Sequence, residues 1–152
     1  ADRKPSLHLE KFFEGKLVAH GVVKDFRGIV VRYFNADIQA SWKDGVGTLV
    51  EDFDFDDGES QRRIWTLTPD GSGGYIGTAG DVIGEGLIRV AGNAMFLKYV
   101  LRIPFQSRTL DITVDDRMYL VNQSTLINES RLMKFGFDVG EILLVISKHS
   151  VN

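Results

Sequence analysis

Alternation is the feature that most constrains what this chain can fold into. From residue 16 to residue 147 apolar and polar residues alternate with period two. Gly, Asp, Asn and Ser break the pattern roughly every 8 to 15 residues. Period two puts successive side chains on opposite faces of a strand, so the chain reads as antiparallel sheet with one apolar face, a barrel or a sandwich. Strands are expected near 16–24, 28–42, 46–56, 60–68, 74–79, 82–91, 94–104, 109–121 and 125–147, the last with a division at Gly136 as an option. Sixteen glycines against three prolines suit a strongly curved sheet, because Gly relieves sterics at bends and bulges. Only residues 5–14 read as helix: Pro5-Ser6 start it, Leu7, Leu9, Phe12 and Phe13 give it an apolar side, and Gly15 ends it. That helix is expected to act as a lid or plug. No linker or charge block divides residues 1–152, which read as one domain.

Turn residues allow the facing to be worked out. Asp44-Gly45 is a strong two-residue hairpin signal. Centred there, Ala40 faces Leu49, Ile38 faces Glu51, Ala36 faces Phe53 and Phe34 faces Phe55. A hairpin centred on Asp57-Gly58 sets Phe53 opposite Arg62 and Glu51 opposite Ile64, and leaves Trp65 on the outer face. A third, about Gln106-Ser107, pairs Ile103 with Leu110, Leu101 with Ile112, Tyr99 with Val114 and Leu97 with Asp116. A slip of one residue in any of them would turn the apolar set outward, so burial also selects the register.

These registers put Arg32, Glu51, Arg62, Tyr99 and Asp116 on faces otherwise made of Val, Ile, Leu, Phe and Ala, with Trp42 and Phe53 beside them. An unpartnered buried charge costs several kcal/mol, so each must pair, meet water or meet a ligand. Glu51 with Arg62, and Tyr99 with Asp116, are the expected diagonal pairs. Two readings stand: structural ion pairs or rim residues, and contacts to a ligand. After Asp116 the facing depends on the turn near Asn122-Gln123-Ser124. A three-residue loop points Leu126, Asn128, Ser130, Leu132 and Lys134 inward; a two-residue loop points Ile127, Glu129, Arg131, Met133 and Phe135 inward. Lys134, if inward, is an anchor for a carboxylate or phosphate head. The candidate lumen-lining residues are therefore Arg32, Trp42, Glu51, Phe53, Arg62, Tyr99, Asp116, Asn128 and Lys134.

Several function classes fall away. The formal net charge of −3 gives no electrostatic footprint for nucleic acid, so no nucleic-acid partner is expected. Without cysteine there is no disulfide framework, thiolate metal site or cysteine nucleophile. No apolar run reaches the roughly 18 residues of a membrane-spanning helix. The start Ala1-Asp2-Arg3-Lys4-Pro5, lacking Met, is expected of a chain processed or truncated upstream. Asp52, Asp54 and Asp56 resemble the opening of a calcium loop, but Asp57 stands where Gly is needed and Arg63 where the bidentate Glu is needed. His8, His20 and His149 have no metal-ligand spacing, and phosphate-loop, dinucleotide and nucleophile-elbow motifs are missing. No metal, cofactor or catalytic set is expected, although acid–base chemistry by Glu51, Asp116 or Tyr99 stays open as a third class.

A small antiparallel barrel closed by an N-terminal helix resembles the up-and-down calycin architecture of lipocalins and fatty-acid-binding proteins, whose lumens hold apolar ligands. The lipocalin Gly-x-Trp on the first strand is not met, since Leu17 follows Gly15-Lys16. Phe12-Phe13-Glu14-Gly15, Glu51-Asp52-Phe53, Asp56-Asp57-Gly58-Glu59, Arg63-Ile64-Trp65-Thr66-Leu67, Gly92-Asn93-Ala94, Leu126-Ile127-Asn128 and Lys134-Phe135-Gly136-Phe137 carry a closer likeness. On these segments nearly the whole chain resembles the bacterial domain-of-unknown-function family 3833. That resemblance implies a lipoprotein, lipid-modified on a Cys upstream of Ala1 and held on the periplasmic side of the envelope at the outer membrane. It brings no catalytic residues. The leading expectation is a lumen that binds a small apolar molecule such as an acyl chain or lipid. The rival is an envelope adaptor that docks a protein on an outer face around Trp65.

Overall fold

Short turns hand each strand to its neighbour, and the expected alternation becomes ten antiparallel strands closed into one up-and-down barrel. The computed structural model describes residues 4–148, so Ala1 and His149 lie outside the described residues. The strands are β1 Gly15–Asp25, β2 Val30–Lys43, β3 Val46–Phe55, β4 Ser60–Pro69, β5 Tyr75–Thr78, β6 Val82–Ala91, β7 Ala94–Phe105, β8 Arg108–Asn122, β9 Thr125–Lys134 and β10 Phe137–Lys148. The last expected strand does divide at Gly136. β1 pairs with β10, which closes the cylinder and leaves no sheet edge among the described residues. The helix α1 covers only Leu9–Phe12, shorter than the expected 5–14. No helix among the described residues is long and apolar enough to cross a membrane.

Two hairpins have the expected registers. Asp44 and Gly45 take φ of 53° and 80°, and Ile38 faces Glu51. Gln106 and Ser107 take 48° and 66°, and Leu97 faces Asp116. The β3–β4 hairpin departs from expectation by one residue. Its loop has three residues, Asp56-Asp57-Gly58, with Gly58 at φ 89°, so Glu51 faces Arg63 and Asp52 faces Arg62. One step of register exchanges faces: Trp65 and Arg63 turn inward, and Arg62 turns out. At β8–β9 the turn is tight, but the register shifts between Leu120 and Asn122. The bulge restores the parity of a three-residue loop, and Leu126, Asn128 and Ser130 are buried.

One end of the barrel is sealed. Leu7, Leu9, Phe12 and Phe13 are buried against Leu17, Ala40, Leu49, Leu67, Leu120 and Leu126. The plug is held by specific bonds as well. Trp42 Nε1 donates to Phe13 O at 2.6 Å, and Lys148 Nζ donates to Lys11 O at 2.8 Å and Phe12 O at 2.9 Å. The lysine thereby satisfies carbonyls that a helix end leaves unpaired. Interior glycines make room for the large rings of this floor. A Cβ at Gly47 would fall 2.7 Å from the Trp42 ring.

Candidate functional site

Above this floor lies a belt of polar side chains, contributed by strands whose inward positions are otherwise apolar. Glu51 on β3, Arg63 and Trp65 on β4, Tyr99 on β7, Asp116 on β8, and Asn128 and Ser130 on β9 all point into the barrel. Arg63 is anchored from the β5–β6 turn: its Nε donates to Asp81 Oδ1 at 3.0 Å and its Nη2 to Asp81 Oδ2 at 2.9 Å. Ser130 Oγ donates to Asp116 and lies 2.9 Å from Asn128 Oδ1. The Tyr99 hydroxyl lies against Asp116, and the Trp65 indole stands beside Glu51. Trp65 and Tyr99 pack edge to face at 5.1 Å. Three carboxylates thus share one arginine, which Asp81 already engages.

That imbalance shows in the titration of the belt. Burial pushes the Glu51 carboxyl up to about 7, with Asp116 and Asp81 adding repulsion and Arg63 opposing. Burial raises Asp116 to about 6, against the pull of its hydrogen bonds to Ser130 and Tyr99. The Tyr99 phenol is raised well above its ordinary value, first by burial and then by Asp116. For Arg63 burial works against the charge, but the Asp81 bonds and the surrounding acids outweigh it and the pKa rises. Around neutral pH this belt offers carboxyls able to donate as well as accept.

Between the belt and the open end, several inward apolar side chains are not fully buried. Phe53, Leu101, Ile103, Leu110 and Leu132 are only partly buried, although Phe34, Ile112 and Val114 on the same side of the belt are buried. Glu51 points inward and is walled in by protein. The inward face of the upper half is therefore apolar above a polar belt, and part of it is not fully buried. At its rim Arg32 stacks on Phe55, its guanidinium carbon 3.7 Å from the ring centre, and pairs with Asp57 and Glu59 at 2.9 Å. Lys134 Nζ donates to Asp111 O at 2.7 Å.

The sequence-predicted residues sort accordingly. Glu51, Tyr99, Asp116 and Asn128 meet in the belt, Phe53 points inward above it, and Arg32 and Lys134 sit at the rim. Trp42 belongs to the floor, bound to the plug. Arg62 does not line the lumen: it points out, its side chain 63% exposed, and pairs with Asp52 at 2.7 Å. The expected Glu51–Arg62 pair is replaced by Glu51 facing Arg63. Trp65 is 6% exposed and inside, not on the outer face. Arg63, Trp65 and Asp81 were missed as site residues. The signal for the first two was present in Asp56-Asp57-Gly58, where Gly in third place favours a three-residue turn and its bulge. Asp81 carries no signal, because it reaches Arg63 from a turn.

A closed antiparallel barrel plugged at one end by a short helix is a calycin-like fold, and solved structures bear this out. The S-type phycobiliprotein lyase CPES from Guillardia theta is similar with a TM-score of 0.69 at 11% identity, over 96% of this chain and 95% of that one. Rv2717c from M. tuberculosis gives 0.62 at 13% identity, over 98% of this chain and 100% of that one. At such identities the likeness is one of fold. No curated protein sequence matches the chain. The family model described as "Protein of unknown function (DUF3833)" matches residues 1–148, and the chain belongs to that family.

Proposed function

We propose that this domain binds a small apolar or amphiphilic molecule, an acyl-chain lipid being the simplest case, in the upper half of its barrel. The observation that carries this reading is the buried polar belt beneath inward apolar side chains that are only partly buried. Side chains that only filled a core would not leave Glu51 and Asp116 buried beside one arginine that Asp81 already engages, since a buried acid without its own cation costs stability. The apolar body would lie against Phe53, Leu101, Ile103, Leu110 and Leu132 and be held by burial, at roughly 25 cal/mol per Å². A head group reaching Glu51, Tyr99 and Asp116 meets acids, so a hydroxyl, amide or amine suits it better than a carboxylate. A fatty-acid carboxylate fits better at the rim, beside Lys134.

Trp65 lies in the belt and serves as a reporter. Its emission is to be followed while a fatty alcohol, an alkylamine and a fatty acid of one chain length are added at pH 8 and at pH 5.5. The alcohol and the amine are expected to bind at pH 8, and the acid to gain affinity as pH falls and the belt carboxyls take up protons. Silence from all three ligands at both pH values would overturn the reading. An adaptor built around Trp65 loses its basis, because the ring is inside the barrel. Anchoring to the periplasmic side of the envelope through a lipidated Cys upstream belongs to the same proposal and rests on the family resemblance.

A further inference from the structure

The cylinder closes strand by strand, but its wall is not equally tall all round. β5 has 4 residues, against 10 in β4 and 12 in β7. Glycine sets that limit: Gly77 and Gly80 bracket the end of β5, and Gly84 and Gly86 lie in the bulge that starts β6, where no side chain supports a strand. On the β5 side, β4 is paired only from Thr66 to Pro69. On the β6 side, β7 is last held at Arg102, whose N–H donates to Asp81 O at 2.8 Å. Above the β5–β6 turn, Ser60, Gln61 and Arg62 of β4 and Ile103 and Pro104 of β7 therefore flank two strand positions that no described residue fills. With strands about 4.8 Å apart and a rise of about 3.3 Å per residue, this notch is roughly 14 Å wide and on the order of 10 Å deep.

Burial of the inward side chains follows the notch. Along β4, Leu67 and Trp65 are buried, Arg63 is mostly so, and Gln61, inward by the same alternation, is exposed. Along β7, Leu97 and Tyr99 are buried while Leu101 and Ile103 are only partly so. Phe53, which faces Gln61 across the β3–β4 ladder, is also partly buried. Ile112 faces Leu101 from one strand further round and is buried. The sill of the notch is the Arg63–Asp81 pair, 2.9 Å apart. Directly behind it stand Trp65, Tyr99 and Glu51 of the belt, so the belt is closer to solvent through the side of the barrel than through its top.

We propose that the notch between β4 and β7 is the door of the barrel, through which a small amphiphile crosses the Arg63–Asp81 sill to reach the belt. This rests on the ligand-binding reading above and adds the route. The turn that carries Asp81 is the least supported part of the wall, since β5 pairs with β6 only through Tyr75, Ile76 and Gly77. A door has a kinetic signature of its own. An obstruction in it slows entry and exit by the same factor and leaves the affinity unchanged, because the bound and free states are the same with or without it.

The chain has no cysteine, so a single introduced thiol can be blocked cleanly. Gln61→Cys is to be joined through a disulfide to a short polyethylene-glycol thiol, which reduction removes again. Phe137→Cys with the same adduct is the control: Phe137 is 74% exposed on another part of the rim, just past the left-handed Phe135 (φ 52°, 86% exposed). Stopped-flow Trp65 emission follows a fatty alcohol and an alkylamine of one chain length entering and leaving at pH 8. The Gln61 adduct is expected to slow both rates more than about tenfold at unchanged Kd, reduction to restore them, and the Phe137 adduct to leave them alone. Unaltered rates in the Gln61 adduct, equal slowing by both adducts, or a lost affinity at unaltered association rate would each overturn the door while keeping the ligand. An unmodified chain that binds neither compound would overturn the ligand-binding reading itself, and the door with it.

Discussion

Replacing Glu51 by Gln should make the protein more stable at high pH and remove part of its pH dependence. In the folded protein burial pushes the Glu51 carboxyl up from its ordinary 4.5 to about 7. A carboxyl whose pKa is raised on folding holds its proton longer in the native state, so its contribution is complete below the unfolded pKa and is lost as pH rises through the folded one. At 1.36 kcal/mol per pKa unit the full loss is about 3 kcal/mol, of which roughly 1 kcal/mol falls between pH 6 and pH 8. For a domain of this size 1 kcal/mol moves Tm by about 2–4 °C. Thermal or urea unfolding at intervals from pH 5 to pH 8 measures the slope directly. Wild type should lose stability over that range, and Glu51→Gln should be flatter and more stable at pH 8 by about 1–3 kcal/mol. Surface carboxylates with lowered pKa, such as Asp25, Asp52 and Asp111, have the opposite sign and act only at lower pH. A wild type that gains stability from pH 6 to pH 8, or a Glu51→Gln variant with the same slope, would refute the reasoning.

Three further changes probe other parts of the account. Arg63→Met removes the partner of Asp81 and the only cation beside Glu51 among the described residues; a loss of about 3 kcal/mol at pH 8, shrinking toward pH 5, should appear in urea unfolding. Trp42→Phe keeps most of the ring packing but leaves Phe13 O without its donor. A cost of about 1–2 kcal/mol is expected, with faster hydrogen exchange confined to the plug. Phe135→Asn relieves a left-handed aromatic and should raise stability by up to about 1 kcal/mol, read as a higher Tm; a clear drop in Tm would mean that Phe135 has packing partners.

Most of the barrel was legible because a strand has period two and its turns announce themselves. Asp44-Gly45 pinned β2 against β3, and apolar parity confirmed the choice. The β3–β4 turn was read one residue short, since Asp57-Gly58 mimics the same signal while the true loop also includes Asp56. That single step hid Arg63 and Trp65 and promoted Arg62. The turn at β8–β9 was undecidable from spacing, because a bulge at one residue changes parity without changing the turn. Glu51, Tyr99, Asp116 and Asn128 were legible as polar interruptions of an apolar face. Asp81 was not, because it joins the belt from a turn and follows no strand period. Phe135 needed coordinates, since neither its exposure nor its left-handed backbone follows from alternation.

Native mass spectrometry of gently purified protein, followed by organic extraction, tests the central claim most directly. A Leu132→Trp variant, which adds bulk at a partly buried inward position, serves as the comparison. A reproducible adduct of small-amphiphile mass on the wild type, lost in a folded Leu132→Trp variant, is the result expected. Bare protein that takes up no offered alcohol, amine or acid, or an adduct undiminished in the filled variant, would contradict a ligand in the barrel.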